Sequence, residues 1–215
     1  MPKKLVMIHT VHSLPASFGK LCDELLPGVE VEHVVDESLL RDTLQAGRLT
    51  DDVRARFKTR ADTALATKPD AVVLTCSSVG PAADGMRVHR IDAAMADRAV
   101  EMGAKIGIAA TVPTTLTATS DLIRAAADRA GKTVEIHTAL AEGAFAALGQ
   151  NDTDSHDRKV QAVLADLATW ADVIVLAQAS MARALAGATE VKGVPVLTSP
   201  RLGVERLREV LGVGA

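Results

Sequence analysis

The 215-residue sequence predicts an α/β fold of two similar, pseudo-symmetric halves, each with a mostly parallel sheet flanked by helices. Three observations lead there. Short runs rich in Val and Ile alternate with amphipathic stretches, the pattern of parallel strands joined by right-handed helical crossovers. Several of these runs, Ala71-Val-Val-Leu74 among them, are apolar throughout, as strands covered on both faces are. The chain also repeats itself. Asp70-Ala-Val-Val-Leu-Thr-Cys76-Ser-Ser reads against Asp172-Val-Ile-Val-Leu-Ala-Gln178-Ala-Ser at an offset of 102 positions. Lys4-Leu-Val-Met-Ile-His-Thr10 reads against Lys105-Ile-Gly-Ile-Ala-Ala-Thr111 at an offset of 101. Two separate segments sharing nearly one offset imply a duplicated unit.

In chain order, strands are expected over 4–10, 29–35, 71–75 and 88–91, then again over 105–110, 133–138, 173–177 and 194–197. Helical periodicity covers 18–26, 50–66 and 157–171. Asp92 starts a helix over 93–102 and Gly103 ends it, and Ser199 followed by Pro200 starts the last helix. The implied division is residues 1–95 plus 196–215 for the first half and 96–195 for the second, the last helix returning to the first half.

Composition narrows the function classes. Hydrophobic residues make up 48% of the chain and aromatics only 2%, so the core is built from Ala, Val, Leu and Ile. A net charge of −3 offers no basic footprint for nucleic acid, and the missing aromatics remove stacking platforms. No apolar run reaches membrane-spanning length. The apolar start is interrupted by His9, Thr10 and His12, too early for a signal peptide. Two cysteines in different contexts, Cys22 and Cys76, fit a reduced cytoplasmic setting. No Cys/His spacing suits a metal.

In parallel sheets ligands collect beyond the carboxyl ends of the strands. Those ends carry Thr10 and His12, Cys76-Ser77-Ser78, Thr111 with Thr114 and Thr115, and Gln178-Ala179-Ser180. The duplication implies a pocket that receives equivalent loops from both halves, with Cys76 opposite Gln178. Short hydroxyls and free backbone N–H groups suit an anion, most simply a carboxylate. Each hydroxyl alone is more simply a helix cap; their convergence carries the argument. Cys76 ends a strand and enters a polar turn, where a helix start would lower its pKa and make it a nucleophile or base. A buried core cysteine is the competing reading. His12 is a candidate proton donor or a loop residue. His9, His33, His137 and Cys22 read as structural, and Gly85-Met-Arg87-Val-His-Arg90 as a solvated basic loop.

At Leu74-Thr-Cys76-Ser-Ser, Gly107-Ile-Ala-Ala-Thr111-Val-Pro-Thr114-Thr115 and Val173-Ile-Val-Leu-Ala-Gln178-Ala-Ser180, the chain resembles the aspartate/glutamate racemase superfamily. That group includes amino-acid and hydantoin racemases, maleate isomerases and arylmalonate decarboxylases. The resemblance covers essentially the whole chain. It implies two flavodoxin-like halves, no cofactor, a small carboxylate or amino-acid substrate, and room for a homo-oligomer. In the racemases two cysteines move the α-proton from opposite faces. Cys76 matches the first, and the second position reads Gln178, or Ala179 if the alignment slips by one. The departure matters, because two-base chemistry needs an acid-base group on each face. Cys-Ser-Ser resembles the isomerase and decarboxylase branches, in which a hydroxyl pair holds a carboxylate, and Ser77 and Ser78 stand at that pair.

Two function classes follow. One is a cofactor-independent isomerase, racemase or malonate-type decarboxylase, with Cys76 and His12 as the catalytic candidates. The other is a carboxylate-binding or regulatory protein on the same fold. A depressed Cys76 pKa would favour the enzyme. A plain flavodoxin or receiver module accounts for neither the repeat nor Thr10-Val-His12 at the first strand end.

Overall fold

The computed structural model describes residues 2–214. In chain order the elements are β1 (Lys4–His9), α1 (Leu14–Leu25), β2 (Glu30–Val35), α2 (Glu37–Ala46), α3 (Asp51–Ala66), β3 (Ala71–Leu74) and β4 (His89–Arg90). There follow α4 (Ala93–Met102), β5 (Lys105–Ala110), α5 (Pro113–Ala130), β6 (Glu135–Leu140), α6 (Ala144–Gly149) and α7 (Thr153–Leu167). The chain closes with β7 (Val173–Leu176), β8 (Glu190–Val191), β9 (Val194–Thr198) and α8 (Ser199–Leu211). Short 3₁₀ segments occupy Gly80–Ala82 and Ala179–Leu185. The fold is α/β with two mostly parallel sheets flanked by helices.

The chain divides into two compact units, Met1–Ala93 with Pro200–Ala215, and Ala94–Ser199. The second boundary falls at 199/200 rather than 195/196, because β9 pairs in parallel with β7 and stays with that sheet. In the first unit the strand order is β2-β1-β3-β4, and every pairing is parallel. In the second it is β6-β5-β7-β9-β8, parallel except for the two-residue β8. Four strands thus follow one another in the same order in both sheets. Registers repeat as well: Lys4 lies against Glu30 and Leu5 against Ala71, as Lys105 lies against Glu135 and Ile106 against Val173.

The repeated aspartate has a structural task. Asp70 Oδ2 accepts the Lys4 N–H at 2.9 Å, and Asp172 Oδ2 accepts the Ala104 and Lys105 N–H groups at 3.0 and 2.9 Å. Each carboxylate closes the amino end of a central strand whose first N–H groups lack ladder partners.

Alternation along β1 and β3 sends side chains to two layers. Leu5, Met7 and Val73 pack with Phe18 and Cys22 of α1 and with Val204 and Leu207 of α8. Val6, Ile8, Val72 and Leu74 pack with Leu39 of α2 and with Val53, Phe57 and Ala61 of α3. Helix α8 comes so close that a Cβ on Gly203 would lie 2.4 Å from the Ile91 carbonyl oxygen. In the second unit Ile174, Leu176 and Val196 pack with Val160 and Leu164 of α7 and with Met181.

Helix α2 lies where the sequence reading has no element. It is ten residues long and buries only Leu39 and Thr43, too short a stripe to stand out, although Asp36 caps it by accepting the Ser38 N–H. Helix α7 starts at Thr153, four residues before the periodicity begins, because Asp152 caps it through the Ser155 N–H. Among the described residues no helix is long and apolar enough to cross a membrane.

Candidate active site

Parallel pairing of β1 with β3 puts Ile8 beside Leu74. Continuing that register by two residues brings Thr10 level with Cys76. The Thr10 hydroxyl is buried and makes no hydrogen bond of ordinary geometry, and its nearness to the Cys76 sulfur favours the thiolate. The Ser78 and Val79 N–H groups donate to that sulfur. These three groups favour a thiolate. Burial acts the other way and wins, helped by the Asp92 carboxylate, so the Cys76 thiol is pushed up from its ordinary value. Cys76 retains some exposure as a residue, but its sulfur lies in dense protein.

This differs from the depressed thiol expected at a helix start. The residues after Cys76 form a turn and only a three-residue 3₁₀ segment, Gly80–Ala82, so no helix macrodipole acts on the sulfur. Two backbone N–H groups remain, too few to outweigh desolvation.

Behind the turn lies a buried ion pair. Arg90 Nε and Nη2 donate to the two oxygens of Asp92 at 3.1 and 3.0 Å, with side-chain exposures of 9% and 2%. Arg90 is close enough to Cys76 for their charges to interact. Gly80 makes room for it, since a Cβ there would meet the guanidinium at 2.6 Å. Arg90 is therefore no solvated loop residue, as its sequence context suggested. The signal that could have found it is Arg90-Ile-Asp92 at a strand end, a spacing that sends both side chains to one face.

A second chain of polar groups runs under Thr10. Thr75 Oγ1 donates to the Ile8 carbonyl at 3.2 Å and so accepts from His9 Nδ1 at 2.9 Å. His9 Nε2 is then the acceptor for His33 Nδ1, also at 2.9 Å. That order requires neutral His9, and burial together with the neighbouring His33 lowers its pKa to about 4. Both histidines thus bond within the first unit, which fits the structural reading.

The second unit repeats the register. Ala109 pairs with Leu176, which brings Thr111 level with Gln178. Here the contact is explicit: the Thr111 N–H and hydroxyl donate to Gln178 Oε1 at 2.6 and 3.0 Å. A backbone N–H can only donate, so the amide orientation is fixed and Nε2 points away from Thr111. Thr115 is buried and Thr114 half-buried in the first turn of α5, after Pro113 at N1 and an extended Val112 that supplies no side-chain cap. Ala179 and Ser180 are half-buried in the 3₁₀ segment that follows Gln178.

The candidates thus group by unit. Thr10, Cys76, Ser77 and Ser78 come together at the carboxyl ends of β1 and β3, with both serines buried. Thr111 and Gln178 come together at the ends of β5 and β7. His12 stands apart. Its side chain is 81% exposed, and Nδ1 lies 2.9 Å from Glu37 Oε1. Among the described residues no group of three His, Cys, Asp or Glu side chains could hold a metal ion.

No protein-family model matches the sequence, and no curated protein matches it by sequence. Solved structures do match by fold. A glutamate racemase of Bacillus anthracis superposes with a TM-score of 0.72 at 14% identity, over 98% of this chain and 82% of that one. The aspartate racemase of Picrophilus torridus gives 0.72 at 12%, over 98% and 94%. The allantoin racemase of Klebsiella pneumoniae gives 0.66 at 15%, over 99% and 89%. From β1 to α8, this chain carries the fold seen in these racemases.

Proposed function

We propose that the protein is a cofactor-independent enzyme of the racemase and isomerase type. It moves a proton at the carbon beside a carboxylate of a small acid or amino acid, with Cys76 as its single thiol. The observation that carries this reading is the pair of backbone N–H groups, of Ser78 and Val79, at the Cys76 sulfur beside the buried Thr10 hydroxyl; they favour the thiolate, although burial outweighs them and the resting group is a raised thiol rather than the depressed one that would favour an enzyme most directly. A core cysteine needs no such donors, whereas a group cycling between thiol and thiolate does. In the first unit Ser77 and Ser78 supply hydroxyls suited to a carboxylate; in the second, Thr111, Thr114, Thr115 and Ser180 supply hydroxyls and Ala179 a backbone N–H. Gln178 cannot exchange a proton at neutral pH, so the chemistry is one-base. His12, exposed and tied to Glu37, is a poor second base.

A second reading, decarboxylation of a malonate-like acid, is favoured by the raised Cys76 thiol. There the C–CO2 bond breaks, its electron pair stays on carbon as an enolate, and the Cys76 S–H protonates that carbon. The thiolate then regains its proton from water. This route starts from the thiol form, which burial favours.

The test is proton NMR in heavy water with both enantiomers of aspartate and glutamate, maleate, and a 2,2-disubstituted malonate. Deuterium uptake or isomerisation without CO2 supports the first reading, and CO2 release supports the second. Either activity should vanish in Cys76→Ser. Binding without turnover on any of these acids would leave a carboxylate-binding protein on a racemase fold.

A further inference from the structure

We propose that Gln178 is the carboxylate-recognising residue of the second unit, pre-oriented by Thr111 to present its side-chain N–H groups to an anionic oxygen. The ligand class rests on the reading above; the orientation rests on geometry alone.

Thr111 gives Gln178 Oε1 two donors, the N–H at 2.6 Å and the hydroxyl at 3.0 Å. Together they saturate that oxygen. The Nε2 group makes no hydrogen bond within the protein among the described residues, and Gln178 is half-buried. A long, flexible side chain held by two hydrogen bonds has already lost its rotamer freedom, so a ligand meets a donor that needs no further ordering. The donor sits beyond the carboxyl ends of β5 and β7, where parallel sheets bind ligands. It has two N–H groups and no free acceptor. Position 178 therefore selects for oxygen anions and against ammonium groups. Its role is that of a specificity-determining residue, and Thr111 is the positioning residue behind it.

Glutamate at 178 is the discriminating substitution. One carboxylate oxygen can still accept both Thr111 donors, so the fold and the lock persist. The other oxygen replaces the outward donor with a negative charge. Calorimetry in a Cys76→Ser background, which stops turnover, would compare malonate and maleate on Gln178 and Gln178→Glu proteins. A lost charge-assisted hydrogen bond plus like-charge repulsion should weaken both ligands by about tenfold to a hundredfold, with the melting temperature unchanged. In ¹⁵N-labelled protein without a substitution at 178, the Gln178 side-chain amide pair should shift on malonate titration, which covers the case of a poorly folded variant. Equal affinity in Gln178→Glu, an unmoved amide pair, or no binding of malonate or maleate at all would overturn the assignment. Tight, Gln178-dependent binding without turnover in the otherwise unaltered protein would instead count against the proton-transfer reading and leave this one standing.

Discussion

Thr10 and Thr111 hold the same place in the two units, each beside a candidate site residue. Thr111 spends a hydroxyl and an N–H on an amide oxygen, which fixes a neutral donor. Thr10 sets a buried hydroxyl near a sulfur, and its effect grows when that sulfur becomes a thiolate. Both read from sequence as direct substrate contacts; Thr111 also holds Gln178, and Thr10 lies beside Cys76. Removing the Thr10 hydroxyl while keeping its shape should therefore raise the Cys76 thiol further. In Thr10→Val, the pH midpoint for alkylation by iodoacetamide should move up by about one unit, the worth of one modest hydrogen bond to a charged group. Mass spectrometry of the modified peptides reads this directly. Cys22 serves as an internal control, because it is 2% exposed and pushed up to about 11 by burial and by Asp23. An unchanged profile in Thr10→Val would mean the hydroxyl does not act on the sulfur.

At the scale of the element, the amino ends of the central strands are the places to test. Asp172 closes two backbone N–H groups, those of Ala104 and Lys105, and Gly103 admits it because it lacks the Cβ that would lie 2.4 Å from the Asp172 Cβ. Asp172→Ala leaves both donors to water and should cost about 1–2 kcal/mol, read as a lower urea midpoint at unchanged slope. Asp70→Ala removes one such bond and an exposed ion pair with Lys3, and should cost less. An Asp70 effect larger than that of Asp172 would contradict this ranking. The strands themselves were legible because Val72-Val-Leu and Ile174-Val-Leu are apolar on both faces. So was the repeated aspartate, though only as a pattern: its bond to the neighbouring strand requires the register. Helix α2 escaped because its buried stripe is two residues. The Arg90–Asp92 pair escaped because Arg90 stands in a run of basic residues, and only the fold shows that Gly80 lets it turn inward. The raised thiol escaped because the turn after Cys76 looks like a helix start until its length is known.

Across the whole molecule, the buried histidines set how stability depends on pH. His9 is fully buried, and burial with the nearby His33 lowers its pKa from 6.5 to about 4. Burial lowers His33 as well. For both, the unfolded chain binds a proton more readily than the folded one. The His9 contribution is therefore fully present above about pH 6.5 and is lost as the pH falls toward 4, and His33 acts in the same direction. For His9 the shift corresponds to on the order of 3 kcal/mol at full loss. The carboxylates act in a separate window. Burial raises the Asp36 pKa, but hydrogen bonds from Ser38 and Arg60 outweigh it and leave the group below its ordinary 3.8, so its contribution is lost only in stronger acid. Urea unfolding at pH 7.5 and at pH 5.0 separates the two. The protein should lose midpoint between these values, and His9→Gln, with no imidazole to protonate, should start less stable at pH 7.5 and lose less. A slope between pH 7.5 and 5.0 as steep in His9→Gln as in the parent would place the acid sensitivity elsewhere and break the assignment of neutral His9 between Thr75 and His33.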